Sequence, residues 1–191
     1  MDTSINKIMI VLCMIIFSNH IYAASEKQMV KESKHAIRRF TSVLKHTLKK
    51  EMNKGSVSNA IAACHSGTEK INKQLSAQSG WNITRTALKF RSPKNVPDEW
   101  EEKVLQNFEK SKRAGASIKQ LEFSEIIKKD TQFVFRYMKA IPTSGLCLNC
   151  HGEKLSVAVK DKLKQLYPED KAIGFKEGDI RGAFSITRIV R

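Results

Sequence analysis

Two cysteines separated by two residues, with a histidine directly after them, are the feature that most limits how this chain can fold. Residues 147–151 read Cys-Leu-Asn-Cys-His. Helical positions three apart lie on the same side of one turn, so the thiols of Cys147 and Cys150 point in the same direction. His151 then places an imidazole beside them. This spacing is typical of haem held covalently by two thioethers, with the histidine as an axial iron ligand.

The chain begins with an export signal. Lys7 provides a short basic region, residues 8–17 form an unbroken apolar run, and residues 21–24 suit a cleavage site. This pattern predicts a signal peptide over residues 1–23, cut after Ala23. Ten apolar residues are too few to span a bilayer core, so we do not expect an integral membrane protein after cleavage. Because c-type haem is attached after export, the signal favours the haem interpretation and predicts a periplasmic location.

The mature chain, residues 24–191, has the length of one domain with one hydrophobic core. Three cysteines remain after cleavage, namely Cys64, Cys147 and Cys150, and an odd number argues against a disulfide framework. The formal net charge of +15 suits either a well-solvated basic surface or attraction to an acidic redox or signalling protein. We do not expect nucleic acid as a partner, because the signal predicts export and the chain carries no nucleic-acid motif.

Hydrophobic periodicity predicts helices first and strands later, with the cysteine motif near the end. The predicted helices cover about residues 25–53, 58–76, 97–114 and 154–166, and the extended segments cover about residues 81–90, 117–128, 131–141 and 179–190. The segments before and after residues 129–130 read as a hairpin. This order indicates an α+β domain, with a long N-terminal helix and an antiparallel sheet flanked by helices.

A six-coordinate iron needs a second ligand opposite His151, and the spacing leaves the choice open. Cys64 ranks first because it lies on the apolar stripe of the second predicted helix. Met138 ranks second because it is near the motif in sequence and thioether ligation is common in c-type haem proteins. The other candidates are Met29, Met52, His35, His46 and His65. Structural zinc is a competing interpretation, but Cys150 and His151 are adjacent and would be awkward ligands of one small ion.

Several long stretches resemble one family. They are residues 60–64 (AIAAC), 85–101 (RTALKFRSPKNVPDEWE), 136–138 (RYM), 147–152 (CLNCHG), 167–168 (YP) and 178–186 (GDIRGAFSI). In this order they resemble the exported single-haem c-type proteins with a PAS-like fold, a family that also occurs as sensor modules of signalling proteins. The resemblance covers nearly all of the mature chain. The chain departs from the family pattern at Ala87 and Ser92, where the family prefers Ser and Asn.

The resemblance implies a PAS-like sheet with one haem held against it. It also implies His/Cys axial ligation, which transfers onto His151 and Cys64. A thiolate opposite histidine favours ferric iron and lowers the reduction potential. On reduction Cys64 can protonate and leave, so we expect a redox or diatomic-gas sensor that works by ligand exchange. Plain electron transfer, without loss of the ligand, is the alternative.

Basic side chains should pair with the haem propionates. Arg85 and Arg91 are the first candidates for this pairing, with Arg136 and Arg181 behind them. We expect no enzymatic activity, because a six-coordinate iron has no open position for a substrate.

Overall fold

The computed structural model describes the backbone of residues 3–190 and the side chains of residues 26–190. The predicted signal peptide, residues 1–23, lies outside the described side chains, as does its cleavage site. The chain divides into two compact units, one ending at His35 and the other beginning at Ala36. In the part of the chain that is described, no helix combines the length and the apolar character needed to cross a membrane.

Two long helices come first, as predicted. Helix α1 comprises Thr3–Asn53, and helix α2 comprises Val57–Ser79. Helix α1 starts well before the predicted residue 25, because no glycine or proline interrupts the sequence between its ends. At the start of α2 the Ser56 hydroxyl accepts a hydrogen bond from the Asn59 amide at 3.3 Å. Gly80 ends α2 with a φ of 70°, a conformation that favours glycine.

The remaining helices are shorter. They are α3 (Glu99–Arg113), α4 (Gly145–His151) and α5 (Val157–Leu166). Asp98 and Glu101 form a reciprocal capping box at the start of α3, so the helix begins two residues after the predicted residue 97 and Pro97 lies outside it. Single turns of 3-10 helix cover Pro93–Asn95 and Ile118–Gln120. At the first of these the Ser92 hydroxyl accepts a hydrogen bond from the Lys94 amide at 3.3 Å, so Ser92 supplies a cap where the family prefers Asn.

Four strands are found in the described residues, in the order β1-β4-β3-β2, and every pair is antiparallel. They are β1 (Asn82–Thr86), β2 (Glu122–Lys129), β3 (Gln132–Pro142) and β4 (Ile180–Val190). The predicted hairpin is confirmed, with Asp130 at its turn at a φ of 55°. Strand β1 ends four residues earlier than predicted, because the Ala87 amide donates to the carbonyl of Asn95 at 3.1 Å instead of to β4. The predicted α+β fold is confirmed.

The two faces of the sheet pack against different helices. Met138 of β3 pairs with Ser185 of β4, so their side chains lie on the same face of the sheet. Successive residues of a strand point to opposite faces, so Phe184 lies on the other face. On the first face Met138 packs in a buried cluster with three residues of α3, namely Val104, Leu105 and Phe108. On the second face the Phe184 ring meets the Phe40 ring of α1, with centroids 5.4 Å apart. Arg85 pairs in register with Phe184 and therefore belongs to this second face.

A bulge in β4 changes the direction of one arginine. Ile141 pairs with Gly182 and Pro142 pairs with Ile180, so Arg181 is an extra residue between them. Ile180 and Ala183 both pack in the α3 cluster, which leaves Arg181 pointing away from it. Gly182 has a φ of 151°, and a β-carbon there would collide with the carbonyl oxygen of Thr86. The bulge therefore requires glycine at position 182.

Candidate cofactor site

The cysteine motif lies entirely within helix α4. Ser144 precedes the helix, and its hydroxyl is 3.4 Å from the Cys147 sulfur. Gly152 follows the helix, and a β-carbon at this position would lie only 2.6 Å from the Leu148 carbonyl oxygen. Glycine is therefore the residue that lets the chain leave α4 directly after the histidine. Cys147 and Cys150 therefore lie on one helical turn, as their spacing predicts.

Helix α2 brings a third thiol toward this motif. Cys150 packs against a buried cluster that contains Ile61 of α2 together with Val159 and Leu163 of α5. Cys64 lies three residues beyond Ile61 and so shares its side of α2. Cys64, Cys147 and Cys150 are free thiols, each partly buried. His65, by contrast, is exposed and meets the Tyr167 ring edge-on at 4.9 Å.

Burial favours the protonated form of two thiols of the site, Cys64 and Cys150. Burial raises the pKa of Cys64, although the nearby Arg85 and Arg91 guanidinium groups oppose the rise. Burial likewise raises the pKa of Cys150 to about 11, and the neighbouring Cys64 contributes to this. Cys64 shares its side of α2 with Ile61, and Cys150 packs against the cluster that contains Ile61, so the two thiols face the same region. A metal that bound either sulfur would have to displace its proton.

His151 is held in one tautomer with its other ring nitrogen free. Its Nδ1 lies 2.7 Å from the carbonyl oxygen of Ala172, and because a carbonyl can only accept, Nδ1 carries the proton. Nε2 therefore keeps its lone pair. Burial lowers the pKa of His151 well below its usual value, and the Arg181 and Arg91 charges lower it further. A neutral histidine with a fixed ring and a free Nε2 is suited to bind a metal.

Two arginines bring positive charge into the site without matching carboxylates. The Nε atoms of Arg85 and Arg181 are both buried and have no hydrogen-bond partner. Arg85 lies over the Phe40 ring at 5.5 Å, and Arg181 lies over the Phe175 ring at 5.3 Å. Burial lowers the pKa of Arg181 to about 9, and the Arg91 and Arg85 charges add to this effect. The Arg181 Nη1 donates to the Lys89 carbonyl oxygen at 3.2 Å, so what remains unsatisfied is the Nε of each arginine, and these two N–H donors indicate a place for an anion.

Arg91, a candidate for the same anion, is already occupied. Its Nε donates to the Asp170 carboxylate at 3.0 Å, and its Nη2 donates to the carbonyl oxygens of Cys150 at 2.6 Å and Ala172 at 3.2 Å. These contacts connect three segments that are far apart in sequence. Arg91 therefore has a structural position at the site and has little capacity left for a ligand.

Two predicted candidates are not brought to the site. Met138 is completely buried in the α3 cluster, on the face of the sheet opposite to Arg85. Arg136 lies on the Met138 side, where it pairs with Asp98 at 2.7 Å and stacks over the Trp100 ring at 4.1 Å. Strand alternation accounts for both placements, because residues 136 and 138 have the same parity along β3.

The sequence analysis did not single out Asp170, Ala172 or Phe175. The His151 ring is edge-on to Phe175, with centroids 6.2 Å apart, and the Phe175 amide donates to the His151 carbonyl at 2.9 Å. Ala172 acts through its backbone carbonyl, which leaves no signal in a sequence. Asp170 lies in an irregular segment without hydrophobic periodicity, so no local sequence pattern marks it.

The donors present fit a haem better than a bare metal ion. Among the described residues, no three His, Cys, Asp or Glu side chains are grouped so that they could hold a metal ion by themselves. A haem needs less from the protein: two thiols one turn apart, one neutral imidazole, one further ligand and cations for its carboxylates. Cys147, Cys150, His151 and Cys64 supply the first four groups, and the unpartnered Nε atoms of Arg85 and Arg181 match the last requirement.

Comparison with known proteins gives a family and a fold. No curated protein matches this chain. The structure resembles the crystal structure of the cyanobacterial heme-protein Tll0287, with a TM-score of 0.63 and 22% sequence identity over 86% of this chain and 96% of that one. A similarity at this level of identity shows a shared fold. The model of the Tll0287-like family matches residues 21–188, and the chain therefore belongs to the Tll0287-like family.

Proposed function

We propose that this chain is an exported single-haem c-type protein of the periplasm that senses redox state or a diatomic gas by exchange of an iron ligand. The observation that supports this most directly is the arrangement of donors. The Cys147 and Cys150 thiols and the His151 Nε2 lie on one short helix, near the Cys64 side of α2 and near two arginines whose buried Nε atoms have no partner. The related protein of the same fold is described as a heme-protein.

Each donor has a distinct role in this proposal. Cys147 and Cys150 would hold the porphyrin through thioethers, and the His151 Nε2 and the Cys64 sulfur would be the two iron ligands. Arg85 and Arg181 pair with the propionates, which would give each buried Nε a charged partner. When bound, the haem supplies a one-electron iron couple whose affinity for a thiolate differs between its two oxidation states.

Cys64 is the residue that makes exchange possible. Burial raises the pKa of its thiol, so a released Cys64 takes up a proton and becomes neutral at once. A neutral thiol is stable in this partly buried position, whereas a released thiolate would not be. The residue is carried by a 23-residue helix that packs on α5, so a change at Cys64 has a rigid element through which it can act on a partner.

Electron transfer without ligand exchange is the second candidate function. The observation that favours it is the net charge of +15, which would steer an acidic redox protein toward the basic surface. In either case the partner we propose is a redox or signalling protein, and we propose no enzymatic activity.

Optical and EPR spectra of the haem-loaded protein test the assignment of Cys64. We expect a low-spin ferric spectrum with thiolate features in the wild type, and loss of those features in Cys64→Ala. Met138→Leu is the matched control, because Met138 is buried on the other face of the sheet and should leave the spectrum unchanged. An unchanged spectrum in Cys64→Ala would contradict the ligand assignment.

Reduction of the same samples separates the two candidate functions. If Cys64 leaves on reduction, the ferrous wild type binds CO readily and its spectrum matches that of ferrous Cys64→Ala. If the ferrous wild type stays low-spin and does not bind CO, the result favours electron transfer without ligand exchange. Haem that can be extracted from a Cys147→Ser, Cys150→Ser double variant, but not from the wild type, would establish the thioethers.

A further inference from the structure

The segment from Asp170 to Phe175 is attached to two other parts of the chain by backbone hydrogen bonds. The Lys171 amide donates to the Phe90 carbonyl at 2.9 Å. At its other end the segment joins the end of α4, where the Gly174 amide donates to the Gly152 carbonyl at 3.1 Å and the Phe175 amide donates to the His151 carbonyl at 2.9 Å. The segment is therefore fixed on both sides of Ala172.

One buried ion pair, between Arg91 and Asp170, holds the middle of this segment through Ala172. Arg91 and Asp170 pair at 3.0 Å, and their side chains are only 13% and 9% exposed. At this burial an ion pair is little screened by solvent, and its geometry is correspondingly fixed. Asp170 uses its second oxygen to accept the Ala172 amide at 2.8 Å. Arg91 donates to the Ala172 carbonyl at 3.2 Å, so the pair contacts both peptide groups of Ala172.

The Ala172 carbonyl is the group that orients His151. It accepts the proton of His151 Nδ1 at 2.7 Å, the contact that keeps Nε2 unprotonated. Arg91 also donates to the carbonyl of Cys150, the residue directly before His151, at 2.6 Å. The same arginine thus positions the backbone that carries the imidazole and the carbonyl that receives its proton.

We infer that Arg91 and Asp170 are positioning residues for His151, which fix its tautomer and the direction of its Nε2 through the Ala172 carbonyl. This role replaces the predicted pairing of Arg91 with a propionate. Outer contacts of this type commonly set both the orientation and the donor strength of a metal-binding histidine. The inference rests on the proposed function only in taking haem iron as the group that Nε2 binds. The orientation of the ring is a property of the haem-free chain.

Nitrogen NMR of the histidine rings in the haem-free chain tests the inference directly. The His151 signals are identified by their absence in His151→Gln. In the wild type we expect one protonated Nδ1 and one unprotonated Nε2. In Arg91→Lys and in Asp170→Asn the two ring-nitrogen shifts should move toward each other, as both tautomers become populated. Arg136→Lys is the matched control, since the Arg136 side chain is 10% exposed and paired with a carboxylate at 2.7 Å on the other face of the sheet.

Unchanged His151 shifts in the folded Arg91→Lys and Asp170→Asn variants would overturn the inference. Loss of folding in both variants, with Arg136→Lys still folded, would also overturn it, because the pair would then serve general stability. In the haem-loaded protein we expect a higher reduction potential in Asp170→Asn than in the wild type, since the imidazole becomes a weaker donor. Failure of haem attachment in the wild type would refute the proposed function and leave the tautomer result standing.

Discussion

Replacement of Arg85 by methionine should make the haem-free chain more stable, which is the opposite of what loss of a buried side chain usually does. Arg85 has a buried Nε without a hydrogen-bond partner, and burial lowers the pKa of its guanidinium. A buried polar group left without a partner costs about 1–3 kcal/mol of folding free energy. The contact of Arg85 with the Phe40 ring, 5.5 Å away, returns about 0.5–1 kcal/mol.

The difference between these two terms sets the expected size of the effect. Methionine keeps most of the apolar stem and can still contact the Phe40 ring, so Arg85→Met should raise the free energy of unfolding by about 1 kcal/mol. Urea unfolding followed by circular dichroism measures this difference in the haem-free chain. Arg136→Met is the control, because the Arg136 side chain also has a buried Nε without a partner but its guanidinium pairs with Asp98 and Glu101, so its loss should destabilise the chain.

The haem-loaded protein should show the reverse sign for Arg85→Met. There the guanidinium would pair with a propionate, and loss of a charge-assisted hydrogen bond costs about 1.5–3 kcal/mol. A destabilised haem-free Arg85→Met chain would refute the idea that Arg85 lacks a partner before the cofactor binds. Equal effects in both forms would show that the propionates lie elsewhere.

Two further predictions concern stability alone. Gly182→Ala should lower the free energy of unfolding, measured in urea, by about 1–3 kcal/mol, because position 182 has a φ of 151° and no room for a β-carbon. Gly67→Ala should raise it by about 0.5–1 kcal/mol, because Gly67 lies in the middle of a helix with open space around it. The Lys94 and Lys73 ammonium groups lower the pKa of Glu69 to about 2. A carboxyl whose pKa is lower in the folded chain contributes stability above pH 4.5, and this contribution is lost as the pH falls toward 2. Glu69→Gln should therefore be less stable than the wild type at pH 6 and equally stable near pH 2. At pH 6, 1 M salt should abolish the difference in stability. A difference that persists at pH 2 would contradict this account.

The sequence predicts the helices and the motif well because both depend on local spacing. The capping residues Asp98 and Glu101 sit three apart, and the Cys147 and Cys150 thiols share one turn for the same reason. Periodicity alone predicts Cys64 on the buried side of α2, and in the structure Cys150 packs against Ile61, which shares that side of the helix. These relations span at most a few residues or one helix face.

Relations between distant segments are what the sequence could not supply. Met138 and Arg136 were reasonable candidates from their position along the chain, but nothing in a strand pattern says which face of the sheet will receive a cofactor. Arg91 was assigned to a propionate because of its charge, since its actual partner Asp170 is 79 residues away. The early end of β1 depends on a hydrogen bond between Ala87 and Asn95, which competes with the sheet and has no signature in hydrophobic periodicity.

Because of the bulge in β4, a related chain can keep this fold and lose an arginine of the site. Removal of one residue at Arg181 would restore a regular strand that keeps its pairing with β3. The sheet would survive such a deletion, but one of the two arginines with an unpartnered Nε would disappear from the site. A relative could thus share the fold over its whole length and still lack half of the anion site. Gly182, which the bulge demands and a regular strand does not, is the position at which such relatives can be told apart.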